Sequence, residues 1–194
     1  MVSINSSRVD KPEHKRGFTL IEALVVLAIV AITSAIVIPG MSGFVYDSRV
    51  SSNVNEFIGA MTLARTEAVK RGRLVTICLS SNADNPLATC DGGGSDWAKG
   101  WLVYEENSTS TGVGSYDAGE TVVQRRGALL KGIVAQSTPA ISGVTFNSLG
   151  EPVGSGTGTM SFDFSVNTKS PRKVCISRNG RVKVIQKPTP TTTC

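Results

Sequence analysis

Four groups of residues in this 194-residue sequence have types and spacings that could do chemistry. The first is a lone carboxylate, Glu22, inside the otherwise apolar stretch Phe18–Ile38. A charge at the centre of a membrane helix costs about 2.5–3.5 kcal/mol on insertion scales, so such a group needs a cation at its own depth or a place near hydrated headgroups. The second is the set of four cysteines, Cys78, Cys90, Cys175 and Cys194. No two have Cys-x-x-Cys spacing, which argues against a zinc or dithiol-exchange site. Two disulfides formed in an oxidising compartment are expected, against the alternative of four buried thiols. Of three possible pairings, the sequence-local one (Cys78 with Cys90, Cys175 with Cys194) is expected. The third is a run of cations after Asp163: Lys169, Arg172, Lys173, Arg178, Arg181, Lys183 and Lys187, with no acid among them. The fourth is Asp84, Asp91 and Asp96 around a Gly-rich loop, whose spacing is not that of an EF-hand and reads as a solvated turn.

The elements that must carry these residues fall into two parts. Phe18–Ile38 has a single charge, and at about 1.5 Å per residue it would form roughly 31 Å of helix, the thickness of a bilayer core. Arg8, Lys11, Lys15 and Arg16 against Asp10 and Glu13 put +2 of the overall +5 before this stretch. Basic residues there hold that end in the cytoplasm, so the remainder faces the periplasm or exterior. That agrees with the cysteine reading. An ordinary secretory signal does not fit, because the apolar stretch is too long and Val37-Ile38-Pro39-Gly40 is no small-residue cleavage site. Pro39 and Gly40 are expected to interrupt the helix.

From Phe44 to about Arg71 the pattern becomes amphipathic. Val50, Val54, Phe57, Met61, Ala64 and Ala68 recur at alternating spacings of four and three, one helical stripe widened by Ile58. Asp47, Arg49, Asn53, Glu56, Arg65, Glu67 and Lys70 fall largely off it. Gly72 is placed to cap the helix behind Lys70 and Arg71. The stripe needs a sheet to cover; a coiled-coil partner is the alternative. Beyond Gly72 short apolar runs alternate with turns. Leu74–Ser80, Trp101–Tyr104, Thr121–Gln124, Ile133–Ala135, Val144–Phe146 and Met160–Val166 read as strands, with loops at 91–96, 107–119 and 150–159. Lacking helix-length crossovers, the sheet should be antiparallel. At Val174–Ile185, Asn179-Gly180 predicts a two-residue hairpin turn that sets Arg178 across from Arg181, Ile176 from Lys183 and Val174 from Ile185. Like charges opposed across a strand pair cost stability, which suggests an anionic partner.

Lys15-Arg16-Gly17-Phe18-Thr19-Leu20-Ile21-Glu22 resembles the type III signal of type IV pilins and type II secretion pseudopilins. The resemblance implies cleavage between Gly17 and Phe18 by a membrane prepilin peptidase, and N-methylation of Phe18. It also implies that Glu22 meets the Phe18 amine of a neighbouring subunit, which supplies the cation. A plain membrane anchor is the alternative. Leu63-Ala64-Arg65-Thr66-Glu67-Ala68-Val69-Lys70-Arg71-Gly72 is similar to the GspH/FimT-type subgroup of minor pilins and pseudopilins. Gly180-Arg181-Val182-Lys183 resembles the Gly-Arg-x-Arg motif of DNA-binding FimT-type minor pilins, with Lys in the last place. Charge is kept there and the bidentate fork is lost. Arg172, Lys173, Arg178, Arg181 and Lys183 are thus the candidate contacts to double-stranded DNA, through phosphate neutralisation. The alternatives are a solvated basic edge that blocks aggregation and a dock for an acidic neighbouring subunit.

An enzyme is not expected. The single histidine, His14, lies in the segment that cleavage would remove, which excludes His-based nucleophilic and metal chemistry from the mature chain. No cofactor or metal is expected. The anticipated fold is α+β and pilin-like, a long N-terminal helix packed on a small antiparallel β-sheet. Its parts are a leader at 1–17, a transmembrane and filament-core helix at 18–40, an amphipathic helix at 41–72 and a periplasmic β-rich domain at 73–194. The expected partners are other pilin or pseudopilin subunits, the prepilin peptidase, the bacterial inner membrane and double-stranded DNA. Three functions compete: a minor pilin that helps assemble or prime a type IV pilus, a minor pseudopilin of a type II secretion system, and a DNA-binding pilin for transformation.

Overall fold

The computed structural model describes residues 17–107, 116, 119–154, 158–189 and 191–194, without the side chains of 36–40 and 42. The expected leader and most of the expected loop 107–119 therefore lie outside the described residues. Two compact units divide the chain, Met1–Ser42 and Gly43–Cys194.

Helix α1, Leu20–Arg71, contributes to both units. It is continuous through Pro39 and Gly40, where the sequence predicts a break. A proline removes one backbone donor, and the bonds on either side can hold the helix through that loss. In the first unit, residues 20–33 are exposed on every face. Among the described residues, no helix is long and apolar enough to cross a membrane. The expected span Phe18–Ile38 runs on into residues whose side chains are outside the described set.

In the second unit the helix ends in a Schellman cap. Gly72 takes φ +66° and the Arg73 N–H donates to the Ala68 carbonyl at 3.3 Å. The predicted stripe is the buried face: Val50, Val54, Phe57, Met61, Ala64 and Ala68 are at most 2% exposed. Asn53, expected off the stripe, is buried too. Its amide reaches back to the Arg49 carbonyl at 2.7 Å and so keeps a partner inside.

What the stripe covers is two sheets rather than one. Strands β1 Val75–Leu79, β2 Trp101–Glu105, β3 Thr121–Arg126, β4 Ile133–Thr138, β5 Gly143–Phe146, β6 Pro152–Val153, β7 Met160–Val166, β8 Lys169–Ile176 and β9 Val182–Gln186 are paired antiparallel. The first sheet has the order β3-β2-β1-β5-β6, the second β4-β7-β8-β9. Strand β6 falls inside a stretch expected to be loop, and β8 starts five residues before the predicted hairpin arm. Pro171 fits there because its backbone faces β9 past the last ladder pair, Arg172 with Gln186: its carbonyl accepts from the Lys187 N–H at 3.2 Å, and its missing donor falls at the open end of the ladder.

Phe57 is the point where the layers meet. Its ring lies 4.7 Å from Phe162 and 5.3 Å from Phe164 in the second sheet. It lies 5.5 Å from Trp101 in the first, and 5.5 Å from Trp97 in a 3-10 turn, Trp97–Lys99. Edge-to-face contacts of this kind add to the area they bury. Two disulfides complete the unit: Cys78–Cys90 ties β1 to the segment before β2, and Cys175–Cys194 ties β8 to the end of the chain. Phe57→Ala should lower unfolding free energy by about 3–5 kcal/mol, the usual cost of emptying an aromatic core site. Phe44→Ala, at a position 73% exposed, should stay within about 0.5 kcal/mol; denaturant titration of both variants checks this.

Candidate functional site

Glu22 sits in the first turn of α1. Its N–H donates to Thr19 Oγ at 3.3 Å, so Thr19-Leu20-Ile21-Glu22 has the order of a capping box, with the acid at the positive end of the helix. The sequence pattern Thr-x-x-Glu carried this signal beside the membrane-charge argument. The Glu22 carboxylate and the Phe18 ring are exposed. The carboxylate has no cation partner among the described residues.

The basic segment is reorganised relative to the sequence reading. Ser177 N–H donates to the Arg181 carbonyl at 3.0 Å, and Gly180 N–H to the Ser177 carbonyl at 2.8 Å. The loop is therefore three residues long, Arg178-Asn179-Gly180, and only Gly180 needs positive φ, at +71°. A two-residue type I′ turn would have required Asn179 there as well. The register moves by one: Cys175 pairs with Lys183, Val174 with Val184 and Ile176 with Val182. A one-residue shift turns a strand over. It sends Val182 inward with Val174 and Ile176, and leaves Arg181 and Lys183 on the outer face with Cys175. Arg178 does not oppose Arg181, so the predicted like-charge cost is absent.

Two of the five candidate cations have other work. Arg172 is bound to Asp47 of α1 at 2.7 Å, and Lys173 to Asp163 of β7 at 3.2 Å. Arg178, Arg181 and Lys183 are exposed and have no carboxylate in ion-pair reach among the described residues. Arg181 and Lys183 line an open recess of about 410 Å³ with Thr159, Ser177, Asn179 and the Cys175–Cys194 bridge.

The turn itself is anchored by a residue the sequence reading left unassigned. Arg65 of α1 donates from Nε to the Gly150 carbonyl at 2.9 Å and from its guanidinium to the Asn179 carbonyl at 3.1 Å. A Cβ on Gly180 would stand 2.3 Å from the Gly150 oxygen, and one on Gly150 would stand 2.9 Å from Arg65 Nε. Both glycines have positive φ. One helix arginine thus locks two turns that are remote in sequence, and the first residue of Gly180-Arg181-Val182-Lys183 has a packing task of its own.

A few residues along the helix, Arg71 bonds Glu67 at 2.5 Å and Glu105 at 2.6 Å. The Arg71 hydrogen bond holds the Glu67 carboxyl below the usual carboxylate range, and Glu105 and Glu67 raise the Arg71 guanidinium. The three aspartates of the Gly-rich region are separate. Asp91 accepts from Ser81 at 3.0 Å, Asp96 caps the 3-10 turn, and Asp84 lies against Gly127. No group of three potential metal ligands occurs among the described residues.

Residues 53–180, which hold Arg65, both glycines and eight complete strands, match the family profile described as type II transport protein GspH. The chain belongs to the GspH family. Residues 14–38 match the prokaryotic N-terminal methylation motif, so this GspH-family chain carries both signatures at once. It is 33% identical over 81 residues to prepilin peptidase-dependent protein D of Escherichia coli K12. That match covers 42% of this chain, and the chain spans about half (47%) of that relative's length. Two crystal structures of the type IV minor pilin FimU from Pseudomonas aeruginosa PAO1 are similar in fold. One has 22% identity and a TM-score of 0.52, over 70% of this chain and 91% of FimU. The other has 19% and 0.53, over 71% and 89%. The GspH-family domain thus shares its fold with FimU, and here builds it on two sheets.

Gly180→Ala should cost about 1–3 kcal/mol, because it combines a strained backbone with a backbone clash. Gly158→Ala, with nothing within 4 Å of its added Cβ, should stay within about 0.5 kcal/mol. Arg65→Lys should cost about 1–2 kcal/mol, since an ammonium cannot reproduce the two-carbonyl fork. Unfolding midpoints of the three variants in urea test the interlock.

Proposed function

We propose that this chain is a non-enzymatic minor subunit of a type IV pilus. It is stored in the bacterial inner membrane by Phe18–Ile38 with its β-rich domain in the periplasm, and it helps assemble or prime the filament. The observation that carries this reading is the single charge of that segment, Glu22, four residues past a peptidase-type Gly17-Phe18 junction and inside the matched methylation motif. Cleavage between Gly17 and Phe18 creates an α-amine. N-methylation of Phe18 keeps its charge while reducing its hydration. In a filament the Phe18 amine of one subunit meets the Glu22 carboxylate of the next, and each offsets part of the other's desolvation penalty. The same chemistry serves a minor pseudopilin of a type II secretion system. The family's description favours that second reading, and the FimU likeness the first. Neighbouring genes for pilus assembly or for secretion would decide between them.

The purified mature chain should begin at Phe18 carrying one added methyl group, read by mass spectrometry. Glu22→Ala should reduce incorporation into filaments by about tenfold or more, since it strands an unpaired ammonium in an apolar core. A mature protein beginning at Met1, or Glu22→Ala entering filaments as well as the parent, would sink the assignment.

Contact with double-stranded DNA is a second activity on the same subunit. What favours it is the register found in the β8–β9 hairpin, which puts Arg181 and Lys183 on one open face with Arg178 at the adjoining turn. Arg172 and Lys173 are removed from the contact by their own carboxylates. Replacing Arg181 and Lys183 by Ala should weaken duplex binding at low salt and reduce the slope of log affinity against log salt by about 2. Replacing Lys173 should leave that slope unchanged; equal slopes in all three proteins would remove the site.

A further inference from the structure

A second, separate set of cations gathers where α1 enters the domain unit. Lys169 Nζ sits 5.1 Å from the centre of the Tyr46 ring. Asp47, Ser170, Pro171, Arg172, Gln186 and Lys187 surround a recess of about 430 Å³ beside it. The Leu130-Lys131 turn comes to the same edge, because the Asn167 N–H donates to the Gly132 carbonyl and Ile133 pairs with Val166. The carboxylate of the recess, Asp47, is already held by Arg172 at 2.7 Å. Lys131, Lys169 and Lys187 are exposed and have no carboxylate in ion-pair reach among the described residues. Apolar surface adjoins them: the Tyr46 ring lies under Lys169, and Leu130, 60% exposed, precedes Lys131 in the chain.

Lysines interleaved with an aromatic and aliphatic side chains are the composition of a bilayer interface. Chain connectivity supplies the location. Tyr46 is eight residues past Ile38, so at most about 29 Å of backbone separates this rim from the end of the apolar segment. We infer that the Tyr46, Leu130, Lys131, Lys169 and Lys187 rim is a docking surface for anionic phospholipid headgroups, holding the domain down on the membrane while the subunit waits to be assembled. The inference rests on the membrane storage proposed above. Its partner is chosen by charge: three unneutralised ammonium groups attract an anionic surface within a Debye length of it.

The test uses the full chain reconstituted into vesicles of phosphatidylcholine alone, or of phosphatidylcholine mixed with phosphatidylglycerol. Lysines are acylated with a membrane-permeant reagent and read by mass spectrometry. Lys70 is the internal reference, since it lies in the last turn of α1, roughly 35 Å along the helix from Asp47. Labelling of Lys131, Lys169 and Lys187 relative to Lys70 should fall by about threefold or more in the anionic vesicles, and recover near 1 M salt, where screening reaches about 3 Å. Equal labelling in the two vesicle types overturns the docking surface while leaving membrane storage intact. Equal protection of Lys183 overturns the assigned face. A protein that floats with neither vesicle overturns the storage reading itself, and this inference with it.

Discussion

The domain unit depends on one burial event: the α1 stripe from Val50 to Ala68 covering both sheets at Phe57. Neither sheet could be stable alone with its inner face wet. The five-stranded sheet presents Ile77, Trp101 and Phe146 to that stripe, and the four-stranded sheet presents Phe162, Phe164 and Val174. Because one ring touches aromatic groups from both, the helix fixes the two sheets relative to each other as well as covering them. The small stripe residues Ala60, Ala64 and Ala68, all fully buried, bring helix and strands close along the rest of the contact. That close approach puts Arg65 within reach of Gly150 and Asn179. Core packing and the placement of the basic turn are therefore a single construction.

Most of this was legible from the sequence where a period or a local rule decides the outcome. The stripe follows from alternating steps of three and four, and the cap from Gly72 behind two cations. The strand centres follow from apolar runs. The failures have a common cause, which is that the deciding contact is distant in the chain. Asn179-Gly180 satisfies two hairpin geometries locally. The choice between them is made by whether Val182 or Lys183 faces the core, and by the Gly150 oxygen that Gly180 touches. The division into two sheets is likewise invisible locally, since β4 has to ignore its sequence neighbour β3 and pair with β7. Arg65 looked like an ordinary exposed helix residue because its partners are 85 and 114 positions away.

The same distance problem affects the basic segment, which reads in the sequence as one uninterrupted cationic run. Folding divides it by consuming charge. Asp47 and Asp163, one on the helix and one on the neighbouring strand, neutralise Arg172 and Lys173 in the middle. What is left are two cationic surfaces at different ends of the β8–β9 ladder. Arg178, Arg181 and Lys183 stand at the turn, while Lys169 and Lys187 stand at the open end beside Tyr46. Strand geometry keeps them apart: four residues from Lys183 to Lys187 span about 13 Å, more than a Debye length at physiological salt. Each surface can then meet an anionic partner without screening or recruiting for the other. A single surface carrying every cation would put the proposed DNA and headgroup contacts in competition. The two ion pairs in the middle of the segment, modest as they are in stability, are what keep the two proposed contacts independent on one short stretch of chain.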